Sequence, residues 1–210
     1  MDGNDSYRLD EDVLEVVWGG GGNDSIRSLG EGSEPTVWPP EGDYICGGPG
    51  NDSVYGYAGD DHIRGGGGND TIDGWEGNDV ELGNAGDDRV AEDVDQSNLG
   101  GRDLVRGGRG DDIVGGSYKV YGGRGSDDIY DPACSVTYLN GGPGSDYFES
   151  YQSYFDGDTC DAYVYRTDEV IVSAGDTVIG GAGFDRARLS AADEATGVER
   201  ITRMPPYRYP

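Results

Sequence analysis

The sequence predicts an all-β solenoid of short parallel strands joined by glycine-rich turns. Two observations predict it. Nine-residue units of the form G-G-x-G-x-D-x-(apolar)-x recur along the chain, clearest at 47–55 (GGPGNDSVY), 65–73 (GGGGNDTID), 107–115 (GGRGDDIVG) and 122–130 (GGRGSDDIY). Between residues 47 and 91 five units run without a gap, so Asp52, Asp61, Asp70, Asp79 and Asp88 fall nine residues apart. A fixed short period means stacked units, each covering its neighbour.

Within one unit, glycines at the first, second and fourth places allow positive φ and close backbone approach in a tight turn. The sixth-place Asp supplies a carboxylate. The residues after it form a very short strand whose eighth-place side chain points inward and whose seventh and ninth point outward. The inward column reads Ile26, Ile45, Val54, Ile63, Ile72, Val90, Val105, Val114, Val120, Ile129, Leu139, Phe148 and Val178.

Along the chain, residues 5–18 read as an imperfect first coil with Val17 pointing in. Segments 28–42, 92–97 and 150–160 are irregular and loop outward. Two units make one coil, so Asp residues 18 apart stack along one edge: Asp52, Asp70 and Asp88 on one, Asp43, Asp61 and Asp79 on the other. Beyond Asp88 the spacing changes to 15 or 19 (Asp88 to Asp103, Asp112 to Asp127, Asp127 to Asp146). One edge is expected to keep glycine turns there, while the other becomes ordinary loops at 116–118 and 131–135. Further good units lie at 141–149 (GGPGSDYFE) and 180–188 (GGAGFDRAR), with a weak one around Gly175–Val178. One unit conflicts: in 74–82 (GWEGNDVEL) the inward place is Glu81. Either the strand shifts so that Val80 or Leu82 points in, or the coil is strained.

Composition bounds the function. The 210 residues include 40 Gly and 42 Asp+Glu against 15 Lys+Arg, a net charge of −27. Low hydrophobicity with high charge ordinarily argues for disorder, but here the acids sit at turn positions instead of in runs. Stacked columns of anionic oxygen call for a hard divalent cation, calcium above all. About six bound calcium ions would bring the charge from −27 to about −15 and relieve the repulsion that opposes collapse. The core is thin, so binding energy is expected to serve as folding energy. Nucleic acid, which needs the opposite charge, is disfavoured as a partner.

Three cysteines are too few for a disulfide scaffold. Cys134 and Cys160 are a possible pair, with Cys46 a small buried hydrophobe. No apolar run is long enough to span a bilayer. The start, MDGNDSYRLDED, lacks the basic and apolar regions of a signal peptide. Either the export signal lies elsewhere or the chain is an excised piece with an added Met1.

These units resemble the calcium-binding repeats of the RTX (repeats-in-toxin, hemolysin-type) family over roughly residues 19–189. The stretch 180–201 (GGAGFDRARLSAADEATGVERI) resembles the strand-and-loop closure that often follows such repeats. The resemblance implies a parallel β-roll with calcium held between adjacent turns of one edge. One turn gives its Asp and the carbonyls of its second and fourth places; the next gives its Asp and the carbonyls of its first and third. Carried onto this chain, one site uses Gly48, Gly50, Asp52, Gly65, Gly67 and Asp70, and the next Gly66, Gly68, Asp70, Gly83, Ala85 and Asp88. A third, on the other edge, uses Tyr57, Gly59, Asp61, Gly74, Glu76 and Asp79. Later in the chain come Gly108, Gly110, Asp112, Gly122, Arg124 and Asp127, then Gly123, Gly125, Asp127, Gly141, Pro143 and Asp146. Asp24, Asp103 and Asp185 mark weaker sites. Six oxygens from two turns suit calcium better than magnesium, which keeps its waters. The C-terminus at 203–210 does not look like the uncleaved export signal of this family, but secretion fits because cytosolic calcium is too low to fill weak sites.

Enzymes of the family carry separate catalytic domains, and no such site is visible here. The single histidine, His62, is in an outward place, so neither a zinc triad nor a Ser–His–Asp set assembles around it. The paired carboxylates (Asp60/Asp61, Asp87/Asp88, Asp111/Asp112, Asp127/Asp128) each have one member committed to a turn. The 15 tyrosines, crowded at Tyr118, Tyr121, Tyr130, Tyr138, Tyr147, Tyr151, Tyr154, Tyr163 and Tyr165, either simply suit exposed strands or form an aromatic ladder for a glycan or protein. Ice binding wants a flat row of Thr or Asn, and the outward row Ser53, His62, Thr71, Val80, Arg89 is mixed.

The expected organisation is an imperfect N-terminal coil at 1–18, a roll at 19–189 (regular at 47–91, irregular turns at 92–179) and a closure and tail at 190–210. The expected function is a non-catalytic extracellular module that folds on several calcium ions. The alternatives are a calcium-stabilised adhesive or glycan-binding module using the tyrosine-rich half, and an accessory domain of a secreted enzyme.

Overall fold

The computed structural model describes residues 3–9, 13–28, 41–91, 101–116, 118–131, 138–150, 177–182, 186–189, 194–196 and 200–203. The first strands are β1 (Ser6–Arg8), β2 (Val16–Trp18), β3 (Ser25–Arg27) and β4 (Tyr44–Pro49). The contiguous units form β5 (Ser53–Ala58), β6 (His62–Gly67), β7 (Thr71–Glu76), β8 (Val80–Ala85) and β9 (Arg89–Ala91). Then come β10 (Leu104–Arg109), β11 (Ile113–Gly115), β12 (Lys119–Arg124), β13 (Asp128–Asp131), β14 (Tyr138–Pro143) and β15 (Tyr147–Ser150). The last are β16 (Thr177–Ala182), β17 (Arg186–Leu189), β18 (Glu194–Thr196) and β19 (Arg200–Arg203).

Odd strands stack in one ten-stranded sheet and even strands in one nine-stranded sheet, and every pairing is parallel to the strand two further on. This is a β-solenoid built as a β-roll, two strands to a coil. Register is kept across inserts of every length. Ile26 pairs with Val54, Val54 with Ile72, Val90 with Val114 and Ile129 with Phe148. A slip of one residue would turn each buried side chain to solvent, so length differences are absorbed between strands. The longest stretches between described strands all follow a strand of the ten-stranded sheet and precede one of the nine-stranded sheet.

The core is one residue deep from each sheet. Ile26, Val54, Ile72, Val90, Val114, Ile129 and Phe148 face Ile45, Ile63, Val105, Val120 and Leu139, all buried. Val178 pairs in register with Leu139. Val17 packs against the core as expected, and Leu9 joins it unforeseen. Glu81 resolves its conflict the costly way. It pairs with Ile63 and Val105, is fully buried, and points inward. Parallel pairing on both sides leaves its strand no freedom to shift.

Other expectations are corrected. Cys46 is not a buried hydrophobe: it occupies an outward ninth place, half-buried between Trp18 and Arg64 on neighbouring strands. Cys134 and Cys160 lie outside the described residues, as do 29–40, 92–100 and 151–176. Among the described residues the tyrosines form no single ladder, because alternate units face opposite sides; Tyr151, Tyr154, Tyr163 and Tyr165 lie outside them. Tyr121 and Tyr138 lie on the nine-stranded sheet, Tyr130 and Tyr147 on the ten-stranded one. For the same reason the mixed outward row separates, with Ser53, Thr71 and Arg89 on one face and His62 and Val80 on the other.

Candidate metal centre

Each sixth-place Asp closes its own turn and joins the next. Its Oδ1 accepts the backbone N–H of the equivalent Asp one coil earlier. On one edge the Asp24 amide donates to Asp52 Oδ1 (2.7 Å), Asp52 to Asp70 (2.8 Å), Asp70 to Asp88 (2.8 Å), Asp88 to Asp112 (2.8 Å), Asp112 to Asp127 (2.9 Å) and Asp127 to Asp146 (3.0 Å). The Asp5 amide starts that column by donating to Asp24. On the other edge Asp43 donates to Asp61 (2.7 Å), Asp61 to Asp79 (2.7 Å) and Asp79 to Asp103 (3.0 Å). Among the described residues Asp103 is the last Asp of this second column. One edge therefore keeps its carboxylates along the roll, as the spacing predicts.

The second oxygen is the informative one. Oδ2 of Asp24, Asp52, Asp61, Asp70, Asp79, Asp88, Asp112 and Asp127 is buried without a hydrogen-bond partner. A buried anionic oxygen left alone costs several kcal/mol, roughly, and native proteins rarely tolerate one, let alone a column. The cause is local. Each Oδ2 folds back onto the first-place glycine of its own turn, where a Cβ at Gly47, Gly56, Gly65, Gly74, Gly83, Gly107, Gly122 or Gly141 would collide with the Asp carboxylate.

Backbone oxygens surround the same space. A Cβ at Gly66 or Gly68 would strike the carbonyl of Gly48 or Gly50, so second- and fourth-place carbonyls project onto the following turn. Gly59 projects in this way onto Gly77, Gly108 and Gly110 onto Gly123 and Gly125, and Gly123 and Gly125 onto Gly142 and Gly144. Third-place carbonyls point back: those of Gly67, Glu76, Ala85, Arg124 and Pro143 accept the N–H of Gly50, Gly59, Gly68, Gly110 and Gly125. One lone pair of each is thereby used and one remains. The first-place carbonyls of Gly65 and Gly74 approach Gly47 and Gly56 of the preceding turn. Left-handed backbone at the second place holds even without glycine, at Tyr57 (φ 71°) and Trp75 (φ 74°). Among the described residues no three His, Cys, Asp or Glu side chains converge on one point. Stacked turns thus bring column carboxylates and backbone carbonyls side by side.

The electrostatics agree. Burial pushes Asp61 and Asp79 up to about 8 and Asp70, Asp112 and Asp127 to about 7, with neighbouring column carboxylates adding to the rise. Asp43 is raised to about 6 by burial, and Asp52 and Asp88 are raised for the same reason. The donated backbone N–H pulls each of them back only in part. Burial lifts Glu81 well above the carboxylate range, with Asp79, Asp73 and Asp103 pushing the same way.

A second, exposed ladder at the fifth place escaped the sequence reading. Asn23, Asn51, Asn69, Asp87, Asp111 and Ser126 each donate a backbone N–H to the side-chain oxygen of the previous member, beginning at Asn4. The recurring Asn, Asp or Ser before each column Asp was its signal. Asp87 and Asp111, outer members of two paired carboxylates, serve this ladder, and Asp60 heads its counterpart on the other edge, accepting the N–H of Asn78, whose Oδ1 accepts that of Arg102. Asp185 lies outside the described residues. His62 is exposed and stacks flat on Tyr44, centroids 4.8 Å apart. No helix among the described residues is long and apolar enough to cross a membrane.

The sequence profile of the RTX calcium-binding nonapeptide repeat matches the chain in four copies, at residues 15–30, 46–81, 99–117 and 172–193. No curated protein and no solved structure matches it.

Proposed function

Because this chain carries RTX calcium-binding nonapeptide repeats in a β-roll, we propose that it is a non-catalytic extracellular module that folds on binding several calcium ions. The observation that carries this is the column of buried Asp Oδ2 atoms without partners. The five sites follow pairs of stacked turns. Asp52 and Asp70 hold one ion with the carbonyls of Gly48, Gly50, Gly65 and Gly67. Asp70 and Asp88 hold the next with Gly66, Gly68, Gly83 and Ala85. Asp61 and Asp79 hold a third with Tyr57, Gly59, Gly74 and Glu76. Asp112 and Asp127 take a fourth with Gly108, Gly110, Gly122 and Arg124, and Asp127 and Asp146 a fifth with Gly123, Gly125, Gly141 and Pro143. A bound divalent cation would supply the positive charge that these oxygens lack. Hard carboxylate and carbonyl donors in such number suit calcium.

Millimolar calcium outside cells suits sites built on flexible glycine turns, which supports the extracellular assignment. We take the roll as 19–189, with an imperfect first coil at 1–18 and a closure and tail at 190–210. Far-UV circular dichroism with calorimetric titration of calcium into chelator-treated protein tests the proposal, with magnesium as control. A gain of β-structure and a rise in Tm driven by several calcium ions are expected. A chain whose β-content and Tm are indifferent to calcium would sink it.

A further inference from the structure

The two sheets differ in how they mix charge. Strands β4, β6, β8, β10, β12 and β14 of the nine-stranded sheet contain Arg64, Arg106, Arg109, Lys119 and Arg124, and their one acid, Glu81, faces the core. In a chain of net charge −27 these strands therefore offer solvent a cationic face without a carboxylate, the sheet's other acid being Glu194 in β18. The opposite sheet mixes signs, exposing Arg8, Arg27 and Arg89 beside Glu76 and Asp128. The difference is a product of coiling, since neighbouring units in sequence land on opposite sides.

At the centre of the cationic face lies an open groove of about 520 Å³, lined by Leu82, Arg106, Tyr121, Arg124, Asn140 and Pro143 among others. Arg106 sits 5.1 Å over the Tyr121 ring, and Tyr121 lies 5.5 Å from Tyr138. Beside them Tyr118 carries Arg102 at 4.2 Å and Lys119 at 5.1 Å. A guanidinium stacked on a ring keeps its N–H fork free at the edge for a carboxylate or sulfate. Tyrosine supplies a flat apolar face with a polar rim, and Asn140 adds an amide donor and acceptor.

The geometry points to this face as a binding site for an acidic polysaccharide. Its carboxylate or sulfate groups are held by Arg106, Arg109 and Arg124, and its ring faces lie on Tyr121 and Tyr138. The alternation of cations with aromatic and amide groups fits a chain whose charges are separated by sugar rings. Nucleic acid fits worse, because one phosphate charge per about 1.7 Å of duplex meets a strongly acidic protein around a small basic patch. The inference rests on the calcium-folded roll as its scaffold.

Affinity electrophoresis of the calcium-saturated full chain tests it, with polygalacturonate, dextran sulfate, neutral dextran or duplex DNA as the probe. Retention by one or both acidic polysaccharides is expected, and none by dextran or DNA. Which polymer retains the protein tells carboxylate from sulfate recognition. R106Q with R124Q should weaken retention at least about tenfold, the loss of one charge-assisted contact. Arg27 stands 5.0 Å over Tyr55 on the other sheet, so R27Q is the matched control and should change nothing. Retention unchanged in the double variant would mean calcium bridging from the acidic turns and would overturn the site. Equal retention by dextran or by DNA would do the same. Circular dichroism of the same samples reads the calcium-driven fold separately, so a folded protein that is not retained overturns the face alone.

Discussion

Replacing Asp70 by Asn separates a metal ligand from a structural turn residue. Asp70 Oδ1 accepts the Asp52 amide at 2.8 Å, and its own amide donates to Asp88 Oδ1 at 2.8 Å. Asn keeps both bonds, so the ladder survives and only the partnerless Oδ2 changes, into an NH₂ group. Without metal the substitution removes a carboxylate that burial and the charges of Asp88 and Asp52 already hold up at about 7. The metal-free chain should therefore be no less stable than wild type. With calcium the outcome reverses, because Asp70 is shared by two proposed sites. A site filled at a hundred times its Kd adds about 2.7 kcal/mol, and a tenfold weaker one about 1.4. Tenfold weakening of both sites removes about 2.6 kcal/mol, or about 5–10 °C of Tm for a chain of this size. Thermal melts followed by circular dichroism in calcium and in chelator measure both arms. An equal loss in chelator, or none in calcium, would refute the ligand assignment.

The first- and third-place glycines should differ sharply. In G65A the new Cβ strikes the Asp70 carboxylate, so calcium affinity at the neighbouring turns falls, whereas G67A meets nothing within 4 Å and should titrate like wild type. Calorimetry of the two variants decides it, and equal behaviour would mean Asp70 can move aside. E81V should raise Tm by a few degrees in calcium and chelator alike, since it exchanges a buried acid between Ile63 and Val105 for an apolar side chain. A lower Tm would show that the acid is stabilising. The column also sets a pH dependence. Folded-state values of about 6 to 8, against about 3.9 unfolded, mean that the metal-free fold binds extra protons. That stability is fully present below about pH 4 and lost as pH rises through 6 to 8. Chelator-treated protein should thus melt higher at pH 5 than at pH 8, while calcium binds more weakly at pH 5. A higher metal-free Tm at pH 8 would contradict the burial of these carboxylates.

The nonapeptide carries its own geometry, and so the local structure was legible before any coordinates. Glycine at fixed places forces the turn, the Asp after it closes the turn, and an apolar eighth place gives the inward column from Ile26 to Phe148. These depend only on contacts within nine residues, and a repeated unit displays them many times over. What needed the tertiary structure is everything that passes between coils of unequal length. The spacing from Asp24 to Asp52, or from Asp88 to Asp112, conceals that their backbones are direct neighbours, because stretches of unequal length separate them in the chain. The fifth-place ladder and the lone Oδ2 atoms likewise arise only when one turn lies on the next. Glu81 was ambiguous in sequence because a lone strand can slide, and it is settled because two parallel neighbours forbid sliding. Charge followed the same rule. Along the chain Arg106, Arg109, Lys119 and Arg124 are scattered among acids, yet coiling sends alternate units to opposite sheets and so leaves strands β4 to β14 of one sheet with exposed cations and no exposed carboxylate.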